Sequence, residues 1–314
     1  MDELFTLHPN GLFRRSEAID LGYRDRHLAA GMEAKILART RHGVYMPSAA
    51  WDSADRLDRH RLLSQAVLLR HDNRVALSHT SAALMLGLRL HEPDLSQVHV
   101  TRLDGKGGRQ LKHVRYHEGP WSHDGVFSLE EMLLVDPVTA AVGAAALTSV
   151  AKGVVLLDSL YDLDLGTPDD VERQRKRVEH HPFSQHLHMP VRLARPGSQS
   201  VGESLCRCHF FWQHVPEPVL QFKVFDDKGR LVGITDFAWP EHRLLGEFDG
   251  KIKYGRLLRP GQTPSDAVFE EKKREDRLRE VTDFGMVRFT WADLHSPQAL
   301  GDRVRRQLAT RFAS

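Results

Sequence analysis

Asp236, Glu247, Asp249 and Lys251 are of the residue types that hold a divalent cation and steer a nucleophile onto a phosphate. Asp236 falls near the end of an expected strand, 231–239. Glu247, Asp249 and Lys251 fall on the next one, 244–252, spaced two apart. Side chains alternate along a strand, so these three share one face; Leu245 and Phe248 are candidates for packing. Neighbouring strands lie ~5 Å apart, which brings Asp236 and Glu247 within reach of one ion. Mg2+ takes one or two carboxylates and completes its shell with water and phosphate oxygens; Mn2+ suits the same hard donors. Such an ion lowers the pKa of a bound water and stabilises charge developing on phosphate. Lys251 would position or activate the nucleophile, or neutralise the phosphate. A row of Asp, Glu and Lys is also what an ordinary solvated sheet surface looks like.

The elements that must position these residues follow from the surrounding pattern. Residues 200–212 read as a helix ended by Pro216 and Pro218. Strands are expected at 219–225, 231–239 and 244–252. A long charged helix covers 265–282, a fourth strand 286–291, and a closing helix 296–312. The order is α-β-β-β-α-β-α. The run from Glu270 to Glu280 suits a helix laced with i,i+4 ion pairs; it equally offers Arg274 and Arg277 to a DNA backbone. Cys206, Cys208, His209 and His214 have the wrong spacing for zinc on a helix and are expected to pack.

This stretch resembles the PD-(D/E)xK nuclease superfamily, in its branch related to very-short-patch-repair endonucleases. The resemblance covers roughly 200–312. It rests on Gly202-Glu203-Ser204, Thr235-Asp236-Phe-Ala-Trp-Pro240 and Gly246-Glu247-Phe-Asp249-Gly250-Lys251, then Glu271-Lys-Lys-Arg274-Glu-Asp276-Arg277-Leu278 and Gly285-Met-Val-Arg-Phe-Thr-Trp291. It implies a restriction-endonuclease-like αβββαβα core and Mg2+- or Mn2+-dependent hydrolysis of DNA. It also implies metal ligands at Asp236 and Glu247, with Glu203 nearby. Asp249-Gly-Lys251 fits the same pattern and would move the second ligand to Asp249. Where relatives often carry a histidine after the Asp-Gly pair, Lys251, Lys253 and Tyr254 stand here.

The first 50 residues read as a second module. A helix from Ser16 to Leu21 is stopped by Gly22, and another from Arg24 to Ala30 by Gly31. Two strands then flank a turn at Arg41-His42-Gly43. Helix, turn, helix and hairpin is the order of a winged helix-turn-helix, in which Arg24, Arg26 and His27 would enter a major groove. Arg39 and Arg41 on the hairpin would reach a phosphate or the minor groove. A small interaction domain with a few surface arginines has the same pattern. Gly11-Leu-Phe-Arg-Arg, Leu21-Gly-Tyr, Arg41-His-Gly-Val-Tyr45 and Ala76-Leu-Ser-His-Thr-Ser-Ala-Ala-Leu-Met-Leu-Gly87 resemble the winged helix of AbiEi-type antitoxins and regulators. The resemblance implies DNA binding, and admits a non-enzymatic regulator whose C-terminal fold is inert.

Between these modules, 51–195 reads as mixed α/β. Helices are expected at 57–69, 78–88 and 138–160. Strands at 98–101 and 114–117 are expected to form a hairpin about the Gly-rich turn 104–109. A loop or linker with scattered histidines is expected over 165–198. The expected domains are therefore 1–50, 51–195 and 196–314.

The 314 residues carry 44 Lys+Arg against 42 Asp+Glu, a formal net charge of +2. That balance excludes a polycation that merely coats nucleic acid, yet the charge is uneven: residues 121–170 carry −8, 171–200 carry +4 and 251–314 carry +5. The first residues have no basic segment followed by an apolar one, and 138–151 is too short and mild to span a bilayer. With two cysteines, at alternate positions, a disulfide scaffold is out and a reducing cytoplasm is the expected setting. Double-stranded DNA is the expected partner, with no membrane and room for a homodimer.

Overall fold

A computed structural model describes residues 1–71, 74–118, 125–181, 183–250, 273–274 and 277–310. The chain is of mixed α/β class, with three sheets among the described residues. It divides into two compact units, one of residues 1–156 with 165–191, the other of 157–164 with 192–314. No helix of the described residues is long and apolar enough to cross a membrane.

The first unit opens with 3-10 turns at Asp2–Thr6 and Pro9–Gly11, followed by β1 (Phe13–Arg14), α1 (Arg15–Asp20) and α2 (Asp25–Glu33). β2 (Leu37–Arg41) and β3 (Val44–Pro47) complete a small sheet of order β1-β3-β2. Gly22, at φ +85°, ends α1 in the left-handed region that only glycine enters cheaply. Gly31 does not end α2 as expected. It lies inside the helix, where a Cβ would stand 2.9 Å from a Leu37 methyl, so the missing side chain serves packing.

α3 (Ser48–Ser53) and α4 (Arg56–His71) lead to β4 (Val75–Leu77) and α5 (His79–Met85). β5 (Val98–Arg102), β6 (Arg109–Leu111), β7 (Val114–His117), β8 (Val126–Leu129) and β9 (Met132–Val135) join β4 in a sheet of order β6-β7-β5-β4-β9-β8. β5 and β7 run parallel, so they are not the expected hairpin; β6, formed at the end of the Gly-rich segment, pairs antiparallel with β7 instead. The expected helix 138–160 is two helices, α6 (Pro137–Ala146) and α7 (Val150–Asp162). The expected linker is helical as well: α8 (Pro168–Arg177), a 3-10 turn at Ser184–Leu187 and α9 (His188–Leu193). Thr167 caps α8 through a reciprocal bond with Asp170, a local signal that outweighs the polar composition.

In the second unit, α10 (Val201–Trp212) precedes β10 (Val219–Phe225), β11 (Leu231–Trp239) and β12 (Leu244–Asp249). Residues 273–274 and 277–282 are helical. β13 (Gly285–Thr290), α11 (Trp291–Leu294) and α12 (Pro297–Thr310) follow. The sheet order is β10-β11-β12-β13, antiparallel until β13, which joins β12 in parallel. Phe210, Phe237, Trp239, Phe248, Phe289 and Val304 form the main core beneath α10 and α12. Val224, Ala238, Leu245 and Leu278 form a smaller one on the opposite face.

A buried ion pair braces α10. Asp158 lies 2.7 Å from Arg207 and accepts bonds from Ser204 Oγ at 2.7 Å and the Arg195 amide at 2.9 Å. Arg207 also donates to the Leu193 carbonyl. Burial pushes the Asp158 carboxyl up, against the pull of Arg207.

Candidate functional site

The register of β11 and β12 fixes where the acids stand. Phe237 pairs with Gly246, Ala238 with Leu245 and Trp239 with Leu244. The ladder stops at Phe237–Gly246; one step beyond it, a continued register would set Asp236 across from Glu247 on the same face. The strands part at this point, and the Asp236 carboxylate takes the Phe248 amide in a 2.7 Å bond. Alternation puts Leu245, Glu247 and Asp249 on one face of β12 and Leu244, Gly246 and Phe248 on the other. Leu245 thus packs on the acids' own side, within the Leu278 cluster, while Phe248 turns to the main core.

Glu247 is buried and held by two arginines. Arg274 Nη2 donates to Oε1 at 2.6 Å, and Arg288 Nη2 stands 3.7 Å from Oε2. Arg274 also donates to the Ile234 carbonyl at 3.3 Å. Arg274 is thus held against Glu247 in this structure, an ion pair the sequence did not announce. Arg277 is exposed and pairs with Glu280 at 2.7 Å. Arg288 was not foreseen, although alternation along Met286-Val287-Arg288-Phe289 and its parallel pairing with Glu247 place it on the acids' face. Lys251 lies outside the described residues.

Glu203 stands in the first turn of α10 and is buried; its Oε2 accepts the Gln199 amide at 2.8 Å. The position is fixed by Gly202, where a Cβ would meet the Phe248 ring at 2.0 Å. Only glycine lets α10 approach β12 so closely. Burial first, then the negative charges of Asp293, Glu203 and Asp236, raise the thiol of Cys206.

The donor set on the acids' face is all carboxylate oxygen, the chemistry Mg2+ prefers, and two such groups meet its minimum. Among the described residues no group of three His, Cys, Asp or Glu is assembled as a metal cage.

In the small N-terminal sheet region, Arg24 caps α2 and Arg26 follows in its first turn, both exposed. The His27 ring folds back to accept the Arg24 amide at 3.1 Å and lies edge-on to Tyr23. Arg15 and Asp25 join α1 to α2 by a 2.6 Å bond. Arg39 is exposed on β2. Arg41 is half-buried, and its desolvation draws the guanidinium below its usual value, with Arg70 adding to the effect.

No family model matches the chain, and no curated protein matches it. Among solved structures, it is similar to the Rv2827c protein from Mycobacterium tuberculosis, at 16% identity and a TM-score of 0.40, over 69% of this chain and 75% of that one.

Proposed function

We propose that the second unit is a metal-dependent, PD-(D/E)xK-type DNA endonuclease module and that the N-terminal winged helix engages double-stranded DNA. The observation that supports this reading is that Asp236 and Glu247 lie on adjacent strands, one step beyond the Phe237–Gly246 pair, with Arg274 and Arg288 beside Glu247. Two acids on parting strands suit Mg2+ or Mn2+, and two arginines suit a phosphate.

The residues divide the work by position. Asp236 and Glu247 would hold the ion, and Asp249, two residues on, lies on the same face. When bound, the ion supplies an activated water and charge stabilisation at the phosphate. Arg274 neutralises Glu247 in this structure, and its guanidinium would be available to a phosphate if a cation took its place at that carboxylate. Arg288 stays on β13 as a fixed positive charge. Glu203 orients the start of α10, and Gly202 keeps that helix against Phe248. On the winged helix, Arg24 and Arg26 at the start of α2 would meet base edges, with Arg39 on phosphate.

A second reading is favoured by one feature. Glu247 is already satisfied by two arginines, as in an inert recognition module of an antitoxin-like regulator. Calorimetry with Mn2+ separates the two. The nuclease reading expects wild type to bind and Asp236→Asn to bind at least tenfold more weakly, with DNA affinity intact. Equal Mn2+ affinity in both proteins contradicts it. Arg24→Ala with Arg26→Ala tests the DNA arm by gel shift, where undiminished binding contradicts the winged-helix assignment.

A further inference from the structure

β5 and β7 carry their polar residues on a covered face of the six-stranded sheet. Val98, Val100, Val114 and Tyr116 pack into the apolar cluster on one side. Alternation turns His99, Thr101, Arg115 and His117 to the other. Strand pairing sets His99 beside Arg115 and Thr101 beside His117. His79, the first residue of α5, stacks on His117 with ring centroids 3.6 Å apart. His99 Nδ1 and His117 Nε2 share a hydrogen bond of 2.9 Å.

Arg115 is the unbalanced charge in this group. Its guanidinium lies over the Phe183 ring at 5.5 Å, and none of the ion pairs among the described residues includes it. Its effect on its neighbours is plain: after burial, the Arg115 charge helps hold His99 down to about 4 and His117 down to about 2, and lowers His79 as well. A half-buried cation surrounded by neutral rings is costly unless an anion completes it. Thr101 Oγ1, on the same face, is buried and has no hydrogen-bond partner.

Beside Arg115 is a cavity of about 420 Å3, lined also by His79, His117, His181, Phe183 and Ser184. Glu118 reaches the rim, but one of its oxygens accepts the Gly108 amide at 2.7 Å. A second, smaller cavity of about 110 Å3 shares Arg115 and is lined by His99 and Lys152. The larger one falls in the range of small-ligand sites. It exceeds what a bare phosphate fills, leaving room for the group that bears it.

We propose that this cavity, entirely within the first unit, binds a small molecule carrying a phosphoryl group, with Arg115 as the bidentate anchor and the His79–His117 stack and Ser184 as neutral hydrogen-bonding walls. A guanidinium with two parallel donors matches phosphoryl oxygens, and neutral imidazoles and hydroxyls add donors without repelling a second charge. The proposal does not depend on the reading of Asp236 and Glu247, which belong to the second unit.

The test is calorimetry on the full chain with phenyl phosphate, inorganic phosphate and acetate. Wild type is expected to bind phenyl phosphate most tightly, inorganic phosphate more weakly, and acetate least. Arg115→Gln should weaken phenyl phosphate at least tenfold, equivalent to about 1.4 kcal/mol. Arg115→Lys, which keeps the charge but loses the fork, should fall between. Arg109→Gln, on the neighbouring exposed strand, should bind as wild type. The proposal is overturned if wild type binds neither phosphate, if Arg115→Gln and Arg115→Lys both bind as wild type, or if acetate binds as tightly as phenyl phosphate. Should Arg115→Gln fail to fold, the Arg115→Lys comparison carries the same decision.

Discussion

Lowering the pH from 7 to 5.5 should destabilise the first unit by about 4 kcal/mol. His79 and His99 are buried and His117 partly so; desolvation lowers all three, and the Arg115 charge adds to it in each. In the unfolded chain each titrates near 6.5. The unfolded state therefore binds more protons than the folded one between pH 6.5 and about 4, the value to which His99 is drawn. Stability from these groups is complete above that window and is lost as pH falls through it. At pH 5.5 each unfolded imidazole is about nine-tenths protonated, a loss of about 1.2 kcal/mol per group relative to pH 7. Three groups give the total, a large share of a typical domain's 5–15 kcal/mol. Carboxylates contribute mainly below pH 5, so this interval isolates the histidines. The assay is urea unfolding at both pH values, with imidazole resonances followed by NMR. Unchanged stability, or His99 and His117 titrating near 6.5, refutes the reasoning.

Three further outcomes follow from packing and charge. Gly202→Ala forces a Cβ into the Phe248 ring and should cost about 3 kcal/mol by chemical denaturation, with weakened Mn2+ binding as α10 and Glu203 shift. Asp158→Ala strands the buried Arg207 and should cost about 3–5 kcal/mol, largely recovered in the double variant with Arg207→Met. Arg274→Ala should raise Mn2+ affinity several-fold by freeing Glu247 while weakening DNA affinity at low salt, whereas Arg277→Ala, an exposed i,i+3 pair, should leave stability within about 0.5 kcal/mol.

The sequence announced the second unit's sheet well because its signals are local. Period-two alternation in β11 and β12 and the prolines after α10 each act within a few residues, whereas Gly202 serves the contact with Phe248, far along the chain. The acids' shared face was legible from the same alternation. What lay beyond reach was long-range pairing. Arg274 looked like a DNA contact on a charged helix; its partner Glu247 is 27 residues away, and no spacing rule links them. Arg41 looked exposed on a hairpin, yet it is half-buried, with Arg70 of the later α4 close by. The parallel pairing of β5 with β7 hid the face that collects His99, Arg115 and His117, since a hairpin reading sends the same residues to unrelated neighbours. The histidines near 180 read as linker because their polarity concealed a well-capped helix just before them.

The central claim is that Asp236 and Glu247 form a working metal site on a DNA-binding chain. Nicking of supercoiled plasmid in Mg2+ or Mn2+, by wild type and by Asp236→Ala, tests it most directly. The account predicts metal-dependent nicking by wild type, lost in Asp236→Ala while both proteins still shift DNA. Binding by both proteins with no cutting by either, in either metal, would contradict it.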